Sequence, residues 1–319
     1  MWKKEYIEKI GCSDVEKLQI EAAQAIKMAN LPKFLYKYRP ANDFSLDNLK
    51  NDTVWLNKPS EYNDPFEFVE FLDFKKLERV TANTMKEEII KEFTDVSLVP
   101  QEVIDEARTS EDPLVVIGKH HFKSMGLDVD QINSLFEGID GIIKKHLVGA
   151  NREKINKMQN AMKVCSFCED HTQLLMWSHY ANNHRGFCVE YNISLWKAND
   201  IRKRLIHPVI YQKDFYDVTE HLLSQVQKGT FNNLYPIISG STKSKEWEYE
   251  KEWRFIFQIG DSFPTQNYPM TCQSKVFLGH RINPENKNKI LEIAKEINLP
   301  VYQSYASKEK YELEFELLT

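Results

Sequence analysis

The sequence predicts an α+β fold: a mixed, largely antiparallel sheet core with a helical insertion. Three observations carry this expectation. Short runs of alternating apolar residues recur on both sides of a long central block. That block replaces alternation with helical spacing. Strand-like runs outnumber the clear crossover helices, which fits a mixed antiparallel sheet better than a doubly wound parallel one. The expected organisation is an N-terminal helix over residues 1–30, a first part of the core over 31–70, the insertion over 71–163 and the rest of the core over 164–319.

Taken in order, Val15–Ala29 has Leu18, Ala22, Ala25, Ile26 and Ala29 at helical spacing, and Asn30–Leu31–Pro32 ends it. Lys33–Arg39 alternates as a strand and stops at Pro40. Leu46–Lys50 reads as a helical turn and Thr53–Asn57 as a second strand. Asn63–Asp64–Pro65 breaks the chain, because a residue before proline is pushed out of the helical region. From Phe71 to Met162, lysines, glutamates and isolated aliphatics follow a helical period, as in Asn83–Phe93 and Gly138–Leu147. Beyond it, Val164–Cys168, Phe187–Tyr191, His207–Gln212, Trp253–Ile259, Lys275–Leu278, Val301–Gln303 and Tyr311–Leu318 are expected strands. Thr172–Asn182 and Pro284–Ile297 are expected helices, the latter with proline in its first turn.

Composition narrows the function. The 319 residues are 42% hydrophobic, carry a net charge of −5, and contain no apolar run approaching a membrane span. MWKKEYIEKIG lacks the apolar segment of a secretory signal, so a cytoplasmic location without membrane attachment is the expectation. Net acidity argues against broad nucleic-acid binding, and the basic runs Lys144–His146 and Arg202–Arg204 read as solvated helix faces. Cys165 and Cys168 form a C-x-x-C with no second pair, so buried thiols are expected rather than zinc.

Four polar-aromatic clusters stand out. Tyr36–Arg39 puts Lys37 and Arg39 on one strand face, with Tyr36 and Tyr38 on the other, and two such cations can clamp an anion. Asn57–Glu67 is dense in turn-capping side chains, as a binding loop requires and as an ordinary capped turn also has. Leu175–Tyr180 carries Met176, Trp177 and Tyr180, a stripe more often core than cofactor box, and leads to Gly186–Phe187. Lys245–Gln258, read as KEWEYEKEWRFIFQ, brings Glu252 and Arg254 to the entry of an apolar strand. No glycine-rich phosphate loop, G-x-S-x-G, H-E-x-x-H or Walker sequence is present.

In their order these clusters resemble a bacterial family, domain of unknown function 2971, whose pattern is Y-K-Y-R, N-D-P-F-E, M-W-x-x-Y with G-F, and E-K-E-W-R. This chain carries Tyr36–Arg39, Asn63–Glu67, Met176–Tyr180, Gly186–Phe187 and Glu250–Arg254. A weaker likeness of layout is to ADP-ribosyltransferases. It implies NAD as cofactor, held by Arg39 with Lys37 and Tyr38, and by Tyr62, Asn63 and Trp177. Tyr62 or Tyr180 would stack on the nicotinamide, and Glu252 with Tyr180 would be catalytic, with no metal. The R-S-E and H-Y-E signatures of that group are not clear in this sequence.

The leading expectation is therefore an NAD-using enzyme that modifies a macromolecular acceptor, protein or nucleic acid, in the manner of a bacterial toxin or phage-defence effector. A regulatory partner or a homo-oligomer would accompany it. A metal-dependent nuclease using Asp64, Glu67 and Glu248/Glu250/Glu252 is the second reading. A module that senses a ligand or binds a partner without turnover is the third.

Overall fold

The computed structural model describes residues 2–95, 99–260 and 262–318. Helix α1 (Trp2–Ile10) and helix α2 (Ile20–Ala29) pack on each other ahead of strand β1 (Phe34–Arg39). Helix α3 (Asp43–Lys50) and strands β2 (Thr53–Leu56) and β3 (Glu70–Phe71) follow. Five consecutive helices come next: α4 (Phe74–Thr84), α5 (Lys86–Asp95), α6 (Gln101–Thr109), α7 (Pro113–Ser124) and the 33-residue α8 (Val129–Ala161). The chain then forms β4 (Met162–Cys168), α9 (Leu174–Tyr180), β5 (Phe187–Asn192) and α10 (Ile201–Leu205). Next come β6 (Ile206–Pro208), β7 (Ile210–Gln212), β8 (Tyr216–Asp217), α11 (Thr219–Lys228), α12 (Tyr235–Gly240) and β9 (Thr242–Ser244). It ends with β10 (Glu252–Gln258), β11 (Gln266–Pro269), β12 (Gln273–Leu278), α13 (Pro284–Glu296), β13 (Val301–Ala306) and β14 (Leu313–Leu317).

The main sheet has eight strands in the order β14-β13-β12-β5-β1-β4-β10-β6. Its pairings are antiparallel except β12–β13, which α13 connects as a crossover. The fold is α+β with a mixed, mostly antiparallel sheet, as the alternation implied. Among the described residues no helix is long and apolar enough to cross a membrane.

Alternation decides what each face meets. Leu35, Phe167, Val189, Trp253 and Phe255 point to one side, where Leu46, Leu49, Ile290 and Ala294 of α3 and α13 close the largest core. The other face is divided. Tyr36, Tyr38, Cys168 and Cys188 meet Met176 and Trp177 of α9, whereas Val164 and Ile256 meet Phe68, Met158 and Tyr235. The polar site lies between those two apolar patches.

Several elements differ from expectation. Val15–Ala29 is not one helix: Asp14 caps a 3-10 turn at Val15–Lys17 before α2 begins. His207–Gln212 splits into β6 and β7, which belong to different sheets. Proline at 208 has no N–H to continue the ladder, and Ile210 donates instead to Ser241. The expected helix over Thr172–Asn182 starts at Leu174, because Asp170 holds Thr172 and Gln173 in a capped turn. Cys165 and Cys168 are buried free thiols on opposite sheet faces.

Candidate functional site

A split in the sheet creates the cavity. Among the described residues, β1 and β4 are paired in register at Tyr36–Cys168 and diverge from there. Where β1 has left, Asn57 exchanges both backbone hydrogen bonds with Val164, at 2.9 and 2.8 Å. Lys37 Nζ reaches through the opening to the Ser166 carbonyl at 2.8 Å. A cavity of about 280 Å³ lies in this split. Its walls include Tyr36, Lys37 and Tyr38 of β1, and Tyr62, Asn63 and Glu67 of the loop after β2. Met176 and Tyr180 of α9 and Lys243, Glu250 and Glu252 complete them.

One wall is a chain of buried charges. Arg254 is fully buried and uses all five of its N–H donors. Two reach Glu67 oxygens at 2.7 Å each, two reach Glu252 at 2.7 and 3.0 Å, and one reaches the Gly240 carbonyl at 2.8 Å. Lys243 continues the chain, donating to Glu252 at 3.3 Å and to Glu250 at 2.7 Å. Tyr180 closes it, its hydroxyl donating to the other Glu250 oxygen at 2.7 Å.

The backbone explains why both glutamates face the cavity. Lys245–Glu250 is a 3-10 helix, so Glu248, grouped with Glu250 and Glu252 in the nuclease reading, does not join them and is exposed. Lys251 ends that helix in the left-handed region, with φ 44, and β10 starts at Glu252. A lysine there is strained, and the reversal brings two carboxylates separated by one residue to the same wall.

These carboxylates are not equivalent. Burial works against an ionised Glu252, but Arg254 and Lys243 outweigh it and draw its pKa down to about 2. For Glu250, burial and the neighbouring Glu252 charge prevail over Lys243 and push the pKa up. Burial and Glu250 raise the Tyr180 hydroxyl, which therefore stays a hydrogen-bond donor. Burial also opposes the Lys243 ammonium, yet Glu252 and Glu250 leave its pKa raised, and it stays charged. The wall thus holds a permanent anion beside a carboxylate that gains and loses its proton more readily.

Of the residues expected at a site, Lys37, Tyr38, Tyr62, Asn63, Tyr180 and Glu252 line this cavity. Arg39 and Trp177 do not. Arg39 points to the apolar face of β1, is 5% exposed, and donates to the Thr53 carbonyl. Trp177 is fully buried, edge-on to Tyr38 and bonded to the His171 carbonyl. Its stripe is core, the commoner meaning of that pattern. The nuclease reading needs free oxygens on Asp64 and Glu67, yet Asp64 caps its own turn through Phe66 N, and both Glu67 oxygens are held by Arg254.

Lys243 escaped sequence reasoning, because S-T-K-S-K carries no signal of its own. Glu250 was visible, but as a companion of Glu252 rather than as the residue with the displaced proton. The Gly186–Phe187 motif has a steric origin: a Cβ at 186 would come within 2.0 Å of the Arg39 carbonyl oxygen. Three preceding residues, Asn182, Asn183 and His184, also take positive φ. Glycine lets this tight turn fold back against the end of β1.

A family model for proteins of unknown function, DUF2971, matches residues 176–255. The matched stretch begins at Met176, includes Tyr180, Gly186, Lys243, Glu250 and Glu252, and ends one residue past Arg254. The chain is similar to that family there, over Met176–Tyr180, Gly186–Phe187 and Glu250–Arg254, while Tyr36–Arg39 and Asn63–Glu67 lie outside the matched stretch. No curated protein and no solved structure matches the chain.

Proposed function

We propose that this protein is a nucleotide glycosyl-transferring enzyme that uses NAD to ADP-ribosylate a macromolecular acceptor. The observation that supports the reading best is the pair Glu250 and Glu252, set on one cavity wall with their protons pulled in opposite directions. When bound, NAD supplies a glycosidic bond to a pyridinium, whose breakage leaves neutral nicotinamide and positive charge on the ribose.

The chain's residues fit one end of that molecule. Tyr36, Tyr62 and Tyr180 offer aromatic walls for a planar ring, and the cavity of about 280 Å³ matches a ring with its sugar. The adenylate end would then lie outside the mouth. Glu252, held ionised by Arg254 and Lys243, stabilises positive charge developing on a sugar carbon. Glu250 takes the proton from the acceptor nucleophile, with Tyr180 orienting it through the 2.7 Å hydrogen bond. Arg254 and Lys243 are positioning residues, and no leaving-group acid is needed for a neutral nicotinamide.

The test is nicotinamide release from NAD by purified protein, with proteins and nucleic acids offered as acceptors. Glu250→Gln is expected to lower turnover by about 10²–10⁴-fold, as for loss of a general base. Activity should fall on acidification with an inflection above the ordinary carboxylate range, because Glu250 must be ionised to accept a proton. Absence of release with every acceptor class, from folded protein, overturns the reading.

A further inference from the structure

Strands β5 and β12 stay paired beyond the end of the sheet. After the Phe187–Leu278 pair, Gly279 N donates to the Gly186 carbonyl at 2.9 Å and Arg281 N to the His184 carbonyl at 2.8 Å. That ladder sets Arg185 opposite His280 and His184 opposite Arg281. Its joint is tight: a Cβ at Gly279 would come within 2.3 Å of the His184 carbonyl oxygen, and Gly186 is pressed against the end of β1. The backbone therefore holds these side chains together although their charges repel.

Nothing within the chain relieves that repulsion. Arg185, His280 and Arg281 are exposed. From His171 to Val189 and from Ser274 to Pro284 the sequence holds no aspartate or glutamate. Glu285, the next acid, is taken by Lys289 at 2.7 Å. Arg79, Arg108, Arg202, Arg204 and Arg254 each meet a carboxylate, whereas Arg185 and Arg281 have no such partner among the described residues. His184 registers the crowding: burial first, then the charges of Arg281 and His280, hold its pKa down. Like charges gathered by a rigid joint without a counter-ion favour an anion from outside.

Position and exposure select the anion. Tyr180 lines the cavity, and the turn that carries Arg185 begins at the next residue. Arg39, against which Gly186 packs, ends the strand that bounds the split. Strand spacing thus puts these cations roughly 10 Å from the opening. Exposed guanidiniums hold a lone phosphate weakly, because water screens each pair. A polymer with a phosphate at every repeat engages several cations at once and gains by releasing its counter-ions. Arginine forks and the exposed amides of Asn182 and Asn183 suit phosphate oxygens. An acidic protein segment offers carboxylates only at intervals. The net charge of −5 repels a polyanion from the chain as a whole, which confines docking to this acid-free end.

We propose that the turns at Arg185 and Arg281 dock the phosphate backbone of a nucleic-acid strand beside the cavity. The docking stands without the NAD reading; where that reading also holds, the docked strand is the macromolecular acceptor.

Fluorescence anisotropy of a labelled single-stranded RNA, and of DNA of the same sequence, is measured with the full chain and no NAD. Binding should appear and weaken as salt rises. Arg185→Gln/Arg281→Gln should lower the slope of log affinity against log salt by about 0.7 for each arginine removed, with circular dichroism unchanged. Lys144→Gln/Lys145→Gln, an equal change of net charge on exposed lysines of α8, should leave the affinity as it was. No binding of either strand, equal weakening by both double variants, or displacement of the RNA by polyglutamate as readily as by unlabelled RNA would each overturn the proposal. Nicotinamide release with protein acceptors alone, from a chain that binds no strand, would remove this inference and leave the NAD reading standing.

Discussion

Two buried cations sit one strand apart and are held in opposite ways. Arg254 on β10 is enclosed by the carboxylates of Glu67 and Glu252 and keeps its charge. Lys27 of α2 is equally buried, but its ammonium nitrogen reaches only backbone oxygens, Arg204 at 2.9 Å and Ile206 at 2.8 Å, among the bonds described. Burial, helped by the Arg204 charge, draws the Lys27 pKa down to about 7. An ion removed from water is kept by pairing it or by letting its proton go. The cavity wall uses the first solution, and the edge of the same sheet, where Lys27 meets the carbonyls around β6, uses the second.

The strongest way to break the contrast is Arg254→Met. It leaves Glu67 and Glu252 buried without their cation, and a loss of about 3–5 kcal/mol is expected from the urea midpoint. Acid should do the same by titration. The Glu252 pKa lies at about 2 in the folded chain against 4.5 ordinarily, so its stabilisation is complete above about pH 4.5 and is lost as pH falls toward 2.

Lys27 gives the opposite limb. Between about pH 7 and 10.5 the unfolded chain holds a proton that the folded chain has released, so stability should rise with pH over that window. Lys27→Met should flatten this rise. Its net effect at neutral pH should be small, roughly 1 kcal/mol, because the relieved ammonium is offset by two carbonyls left without a donor. The smallest effect belongs to Lys251→Gly. It relieves a left-handed lysine at the turn joining the two glutamates and should stabilise by up to about 1 kcal/mol with activity retained. A large loss there would mean that Lys251 itself, 3.8 Å from Asp170, has a role at the site.

What the sequence disclosed follows the same division. Strand faces were legible because alternation is a local property: Tyr36 and Tyr38 were expected opposite Lys37 and Arg39, and they are. The dense motifs were legible because turn-capping and aromatic residues cluster where a wall is built. The cofactor role given to Arg39 was misplaced: it shares a face with Lys37, as expected, but only Lys37 reaches the gap that opens beyond Tyr36. No local pattern encodes a strand divergence. Lys243 was invisible for the same reason, because its partners become neighbours only when the 3-10 turn and the left-handed Lys251 fold the chain back. Of the long α8 only Gly138–Leu147 was picked out by its period, and the helix runs on both sides of that stretch from a capping box at Asp128 and Gln131.

The Glu67–Arg254 bridge joins residues 187 positions apart. During synthesis Glu67 emerges long before either of its cations, Lys243 at 3.9 Å and Arg254 at 2.7 Å. Contacts of such span form late and slowly. The charged wall of the cavity is therefore complete only after residue 254 has left the ribosome, and a chain terminated before it carries Glu67 and Glu252 without the guanidinium that joins them.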